Sequence, residues 1–335
     1  MPARVSAVHP LLAIEGGRVA IDGADFPVGG PELPEVRIGD VPARVVFASA
    51  ERLVAILPPG LDGGRMPIRI AGVSGVTAFV GVAAPFATGL HQVDNPVFDR
   101  EGNLYVTYSG TRGQQVPVSI FRVRPNGTRE TFSSGIVNPT SMAVDSDGRL
   151  YVSSRFEGVV YRVVADGSTE PFATDLGVAC GLAFAPDAAG GTLFVGDRSG
   201  TIFKVDRAGR ATTFASLPAS VAAFHLAYGP PGPDAALYVT GPTLSSYDAL
   251  YRIDAEGLVT KIHEGFGRPQ GLVFDNRGAL HVVEALAGRS GLYRVRPDCQ
   301  PELVLAGPGL VGVAFAPDGA LVVTSNDTAY RLAPH

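Results

Sequence analysis

A unit of about 43 residues recurs six times between residues 96 and 332, and it leaves the chain few folds to choose from. Each copy opens on a short apolar run: Pro96–Asp99, Met142–Asp145, Leu182–Ala185, Leu226–Gly229, Leu272–Asp275 and Val313–Ala316. A second run follows at Leu104, Leu150, Leu193, Leu237, Leu280 and Leu321, at intervals of 46, 43, 44, 43 and 41 residues. Between the two runs of the second copy lies Asp145-x-x-Gly148, which is hairpin chemistry, since Gly takes positive φ at little cost. Third runs end in aromatic-basic-aliphatic triplets such as Phe121-Arg122-Val123 and Tyr161-Arg162-Val163. Fourth runs follow in five copies, for example Pro171–Ala173 and Leu303–Leu305, whereas the sixth copy reaches the last residue without one. Pro85-Phe86-Ala87-Thr88-Gly89-Leu90 nearly duplicates Pro171-Phe172-Ala173-Thr174-Asp175-Leu176, an outer strand. The segment at 85–90 should therefore pair onto the last copy. The expectation is an all-β chain whose residues 85–335 form a closed six-bladed propeller of four-stranded blades, since closure removes open sheet edges.

Composition agrees with many short strands and narrows the partners. The 42 glycines and 27 prolines suit tight turns. Net charge is −5, and the only lysines are Lys204 and Lys261. The arginines are scattered, so neither nucleic acid nor an anionic membrane is an expected partner. No apolar run is long enough to cross a membrane, and the apolar stretch after Pro10 is too short for a secretory signal. Cys180 and Cys299 form no spacing pattern. No disulfide framework is expected, and the expected location is cytoplasmic.

Residues 1–84 do not share the repeat. Arg18–Ile21, Glu35–Ile38, Arg44–Phe47, Leu53–Leu57, Pro67–Ile70 and Thr77–Val82 read as strands separated by Gly, Pro and Asp, which predicts a small immunoglobulin-like β-sandwich. Val8-His9-Pro10, the run Gly16 to Phe26, Val36-Arg37-Ile38-Gly39 and Leu57-Pro58-Pro59-Gly60 fall in an order that resembles the IPT/TIG family across residues 4–83. That resemblance implies a spacer or a protein-contact module. Ala83-Ala84-Pro85 is the expected junction.

The turn pattern and the aromatic-Arg third strand of residues 85–335 resemble the NHL-repeat and senescence-marker-protein/gluconolactonase superfamily. There is no Trp, so the Trp-Asp propeller signature is absent. In a propeller, the loops entering first strands and those joining second to third strands surround the channel mouth, where binding groups collect. The residues heading the first strands are Asp94, Thr140, Cys180, Phe224, Gln270 and Val311, with Asn95 and His225 one position further in. The other loops bring Arg112, Arg155, Glu157, Asp197, Arg198 and Glu284. A face with these groups suits a small polar molecule or peptide, and an Arg there could grip a carboxylate.

The gluconolactonase resemblance implies a divalent cation (calcium, magnesium or zinc) held by a Glu, two Asn and an Asp heading four first strands. Such a cation would polarise a lactone carbonyl and activate water. Asp94 stands in the Glu position, but Cys180, Gln270 and Phe224 replace other ligands, and a hard cation wants about six oxygens. Asp94, Cys180 and His225 are also the makings of a softer zinc site, and Cys180 with His225 those of a nucleophile and base. Gln270-Gly271-Leu272 with His281 and Glu284 resembles streptogramin lyases in Glu284 and departs from them in Gln270. The arginines repeated in the third strands read as structural, each pairing with a neighbouring blade. The leading expectation is a non-catalytic or weakly catalytic binding propeller. The alternative is a metal-assisted lactonase-type hydrolase with a remodelled site, using Asp94 as ligand or base and His225 beside it.

Overall fold

The computed structural model describes residues 3–30, 32–75, 77–185, 191–232, 235–297 and 300–332. Cys299 lies outside them. The described residues form strands and turns, with no helix. The hairpin turns repeat one device. The Oδ1 atoms of Asp99, Asp145, Asp206, Asp254 and Asp275 each accept the amides two and four residues on. A glycine with positive φ, such as Gly148 at 85°, completes the turn. The other carboxylate oxygen reaches into the second strand, from Asp99 to Tyr105 Oη (3.1 Å), from Asp145 to Tyr151 Oη (3.3 Å) and from Asp275 to His281 Nε2 (3.1 Å). His281 is thus the fifth repeat's version of this tyrosine, packed against Phe315, and its imidazole is held below its ordinary pKa by burial.

Five repeats stand as separate antiparallel four-stranded sheets. The first is Val97–Phe98, Leu104–Thr107, Ile120–Val123 and Arg129–Ser133. The second, third and fourth follow the same order, with first strands at Pro139–Val144, Ala179–Ala185 and His225–Tyr228. In the sixth, Leu310–Phe315, Leu321–Ser325 and Thr328–Leu332 receive Ala84–Thr88 as the outer strand, with Thr328 opposite Thr88 and Ala329 opposite Ala87. The first strands of successive repeats lie against one another, and that of the first also touches that of the sixth. This is a β-propeller. The expectation of six separate blades needs correction, because only five sheets stand free. Pro269–Phe274, Leu280–Glu284, Gly291–Val295 and Glu302–Ala306, the fifth repeat, belong to a sheet of twelve strands.

The cause is a two-residue strand, Leu12–Ala13, which runs parallel to Leu305 and Ala306 on one side and to Gly81 and Val82 on the other. It joins the outer strand of the fifth repeat to the strands of residues 4–82. Those strands bury a core with Val19, Ile21, Phe26, Val36, Ile38, Leu53 and Val80, to which the fifth repeat adds Ala306. Val41–Ala48 pairs with Val36–Ile38 through its first half and with Arg52–Ile56 through its second. The junction is no loose linker. Ala83 is buried and, with Ile14, shares a core with Val283, Leu292, Leu305 and Val313.

Of the third-strand arginines, Arg331 donates to Pro125 O of the neighbouring first repeat, whereas three others pair within their own blade. Arg122, Arg162 and Arg294 lie directly opposite Glu130, Glu170 and Glu302 on the fourth strand of the same blade and pair with them. The aligned cross-strand register makes that partner nearer than any in the next blade.

Close approach at the axis dictates several glycines. A Cβ on Gly312 would sit 2.4 Å from the Asp94 carbonyl oxygen, and one on Gly271 would sit 2.1 Å from Asn95 Oδ1. Gly312→Ala is expected to cost about 2 kcal/mol by overpacking, whereas Gly29→Ala, with nothing within 4 Å, should be near neutral. Paired thermal melts check this, and equal melting temperatures would refute the packing account.

Candidate functional site at the propeller axis

Asp94 enters the first repeat and His225 heads the first strand of the fourth, three repeats away around the ring. Their side chains meet, with Asp94 Oδ1 2.6 Å from His225 Nδ1. The two residues are only 2% and 0% exposed. Asp94 Oδ1 also accepts the Asn95 amide at 2.7 Å. Gln92 Nε2 donates to the Asp94 carbonyl at 2.6 Å, while Gln92 Oε1 accepts from the Thr107 amide and hydroxyl. His225 Nε2 is buried with no hydrogen-bond partner among the described residues. Asn95, expected to bind ligand, instead fastens the ring. Its Nδ2 donates to Leu272 O at 2.7 Å and its Oδ1 accepts the Val313 amide at 2.9 Å, linking the fifth and sixth repeats.

Beside this pair lies a cavity of about 370 Å3. Arg112, Arg155 and Arg198 come to it from the second-to-third-strand loops of the first three repeats, with Cys180 and Gln270 from first strands. Its lining includes no Asp or Glu, and none of the three arginines has a carboxylate partner among the described residues. Burial holds the Arg155 guanidinium below its ordinary pKa, and Arg112 and Arg198 push it the same way. A half-buried Arg155 with the exposed Arg112 and Arg198 beside it, and no carboxylate in the lining, makes an anion-seeking site.

The expected acidic groups are elsewhere, and two of them are used by the backbone. Asp197 Oδ1 accepts the Val178 amide at 2.8 Å and its Oδ2 accepts the Ser199 hydroxyl. Fully buried Glu284 accepts three amides, Gly267 at 2.5 Å and Arg268 and Leu286 at 2.8 Å each. Glu157 is exposed and bonds Tyr161. Thr140 is buried and donates to Asn138 O. Each of these four is engaged within the protein and none lines this cavity. Cys180 does face the cavity, but its Sγ donates to Val178 O at 3.1 Å, and burial pushes the thiol up to about 12. A thiol so protonated is no nucleophile near neutral pH.

The lining adds residues not singled out from the sequence, notably Gln92, Phe156 and Val221, and includes Asn326 from the sixth repeat's second-to-third-strand loop. Asn138, two residues before Thr140, has a structural part. With φ of 49° it donates to the Ser109 and Thr111 carbonyls and accepts the Gly113 amide, holding the loop that carries Arg112. An Asn just before a first strand, a residue type that tolerates positive φ, was the available signal.

A divalent cation does not fit these groups. No three His, Cys, Asp or Glu side chains gather as a metal-binding set among the described residues, and Asp94 Oδ1 is already shared by His225 and the Asn95 amide. The zinc-type trio of Asp94, Cys180 and His225 does not assemble.

No protein-family model matches the sequence, IPT/TIG included, and no curated protein matches it. Solved structures do resemble the fold. An auxiliary nutrient binding protein from Bacteroides ovatus aligns over 100% of this chain and 98% of its own, with TM-score 0.56 and 15% identity. A candidate gluconolactonase aligns over 74% of this chain and 90% of its own, with TM-score 0.59 and 17% identity. Virginiamycin B lyase from Staphylococcus aureus aligns over 99% and 95%, with TM-score 0.51 and 13% identity. At these identities the likeness establishes the β-propeller fold alone.

Proposed function

We propose that the chain is a binding propeller whose axial cavity takes a small organic anion without transforming it. The observation that carries this reading is the convergence of Arg112, Arg155 and Arg198 on one cavity with no acidic group in its lining. Auxiliary nutrient binding proteins among the similar folds are in keeping with it. Arg155, the most deeply placed of the three, is the anchor, because a charged hydrogen bond there strengthens in a partly dry site. Titration with succinate, citrate and inorganic phosphate is expected to raise the melting temperature. Arg155→Met keeps the apolar stem, and it should weaken binding at least tenfold. No stabilisation by any anion would sink the reading.

A hydrolase reading has one observation in its favour, the buried Asp94–His225 pair, whose Asp94 lies within electrostatic reach of the cavity-lining Cys180. There Asp94 would orient His225 as a base toward water attacking a lactone, and the donor set favours a version without metal. Turnover of a lactone panel that survives EDTA and is lost in His225→Gln would establish it. We further infer that the fifth repeat serves as a sixth blade of the ring, that residues 1–84 form an IPT/TIG-like, immunoglobulin-type contact module, and that the NHL-type propeller begins at residue 85.

A further inference from the structure

We propose that the anion bound in the axial cavity carries an apolar group of about six to ten carbons, seated toward the fourth repeat. This rests on the anion-binding reading of the same cavity and narrows its ligand class. The mouth is two-sided. Its cationic groups come from the loops of the first three repeats, whereas the fourth contributes Val221 to the wall and no charge. Leu244 and Tyr247, 93% and 59% exposed, lie in the second-to-third-strand loop of this same repeat. Their loop is tied to the wall, since the Val221 amide and the Ser220 hydroxyl both donate to Pro242 O, at 2.8 and 2.9 Å.

The exposure is built in. Asp248 Oδ1 accepts the Thr243 amide and hydroxyl at 3.0 and 2.6 Å, and Thr243 Oγ1 in turn accepts the Ser245 amide. Beneath the loop the Phe224 ring lies so close to Gly241 that a Cβ there would be 2.6 Å from it. A loop held this firmly presents Leu244 and Tyr247 outward as part of its shape. On the opposite rim, Phe156 is 54% exposed, its ring lying against Gly113. An inorganic or wholly polar anion would use the arginines and leave Phe156, Val221, Leu244 and Tyr247 in water. An amphipathic one covers both halves. The cavity volume admits roughly a dozen non-hydrogen atoms at ~30 Å3 each.

The test is calorimetric titration of the full chain with acetate, hexanoate, octanoate, decanoate and neutral octanol, each below its aggregation limit. The dissociation constant is expected to fall about fourfold per added methylene until the apolar wall is filled, with octanol at least tenfold weaker than octanoate. The double variant Leu244→Ser, Tyr247→Ser should weaken octanoate about tenfold and leave acetate unchanged. Its melting temperature should match that of the parent, since both side chains are exposed. If acetate and octanoate bind alike, or the double variant binds octanoate like the parent, the apolar seat is wrong while the anion site stands. If octanol binds like octanoate, or no anion binds, the anion reading falls and this proposal with it.

Discussion

Asp94→Ala is expected to destabilise the protein by about 3 kcal/mol, the largest effect of any single polar substitution at the axis. The carboxylate accepts from His225 and from the Asn95 amide, inside a site that water does not reach. Removing it leaves His225 Nδ1 buried and unpaired next to an Nε2 that already lacks a partner. Each orphaned buried polar group costs about 1–3 kcal/mol, and breaking a buried pair from one side is costlier than never having it. The loss should appear as a fall of roughly 5 °C or more in melting temperature. His225→Ala should fall similarly, and the double variant should recover part of the sum, because the two residues answer mainly to each other. A double-mutant cycle by urea denaturation measures that coupling. Strictly additive losses would mean the two side chains do not depend on one another. The same variants speak to function: anion binding that survives in a folded His225→Ala separates the cavity from the pair beside it.

Glu284→Ala should be nearly as severe, by about 2–4 kcal/mol, although Glu284 sits in a loop-facing position typical of ligand contacts. It accepts three backbone amides of the segments flanking its own blade, and alanine leaves all three unpaired. Glu284→Gln is the informative partner. It keeps one acceptor oxygen for Arg268 and Leu286 but turns an amide NH2 toward the Gly267 N–H, so it should recover about half the loss. Chemical denaturation of the three proteins decides the matter. A Glu284→Ala protein as stable as its parent would return Glu284 to the list of ligand-binding groups.

These cases mark where the sequence is legible and where it is not. The repeat could be read because several blades solve the same local problem, an Asp and a Gly turning the first strand into the second, at Asp99, Asp145 and Asp275 alike. The outer strand of the sixth repeat could be placed because residues 85–90 copy an outer strand elsewhere. Asp94 and His225 could each be picked out by position, but their bond depends on two side chains reaching across the ring, which no local pattern encodes. Glu284 and Asp197 could not be sorted from sequence, because a loop that needs acceptors for its own amides and a loop that offers acceptors to a ligand use the same residue types. The twelve-stranded sheet hid for a related reason. Leu12 and Ala13 are two residues long as a strand, below what alternation can reveal.

That short strand also says how the parts of this molecule can be separated in practice. Because Leu12–Ala13 is hydrogen-bonded on both flanks, and Ile14 and Ala83 lie inside the core of the last two repeats, the boundary near residue 84 is a weld and not a hinge. Cutting there would bare the outer edge of the fifth repeat to any passing strand. Residues 4–82 are therefore joined to the fifth repeat by backbone ladder and shared core alike, and the two cannot turn against each other without breaking both.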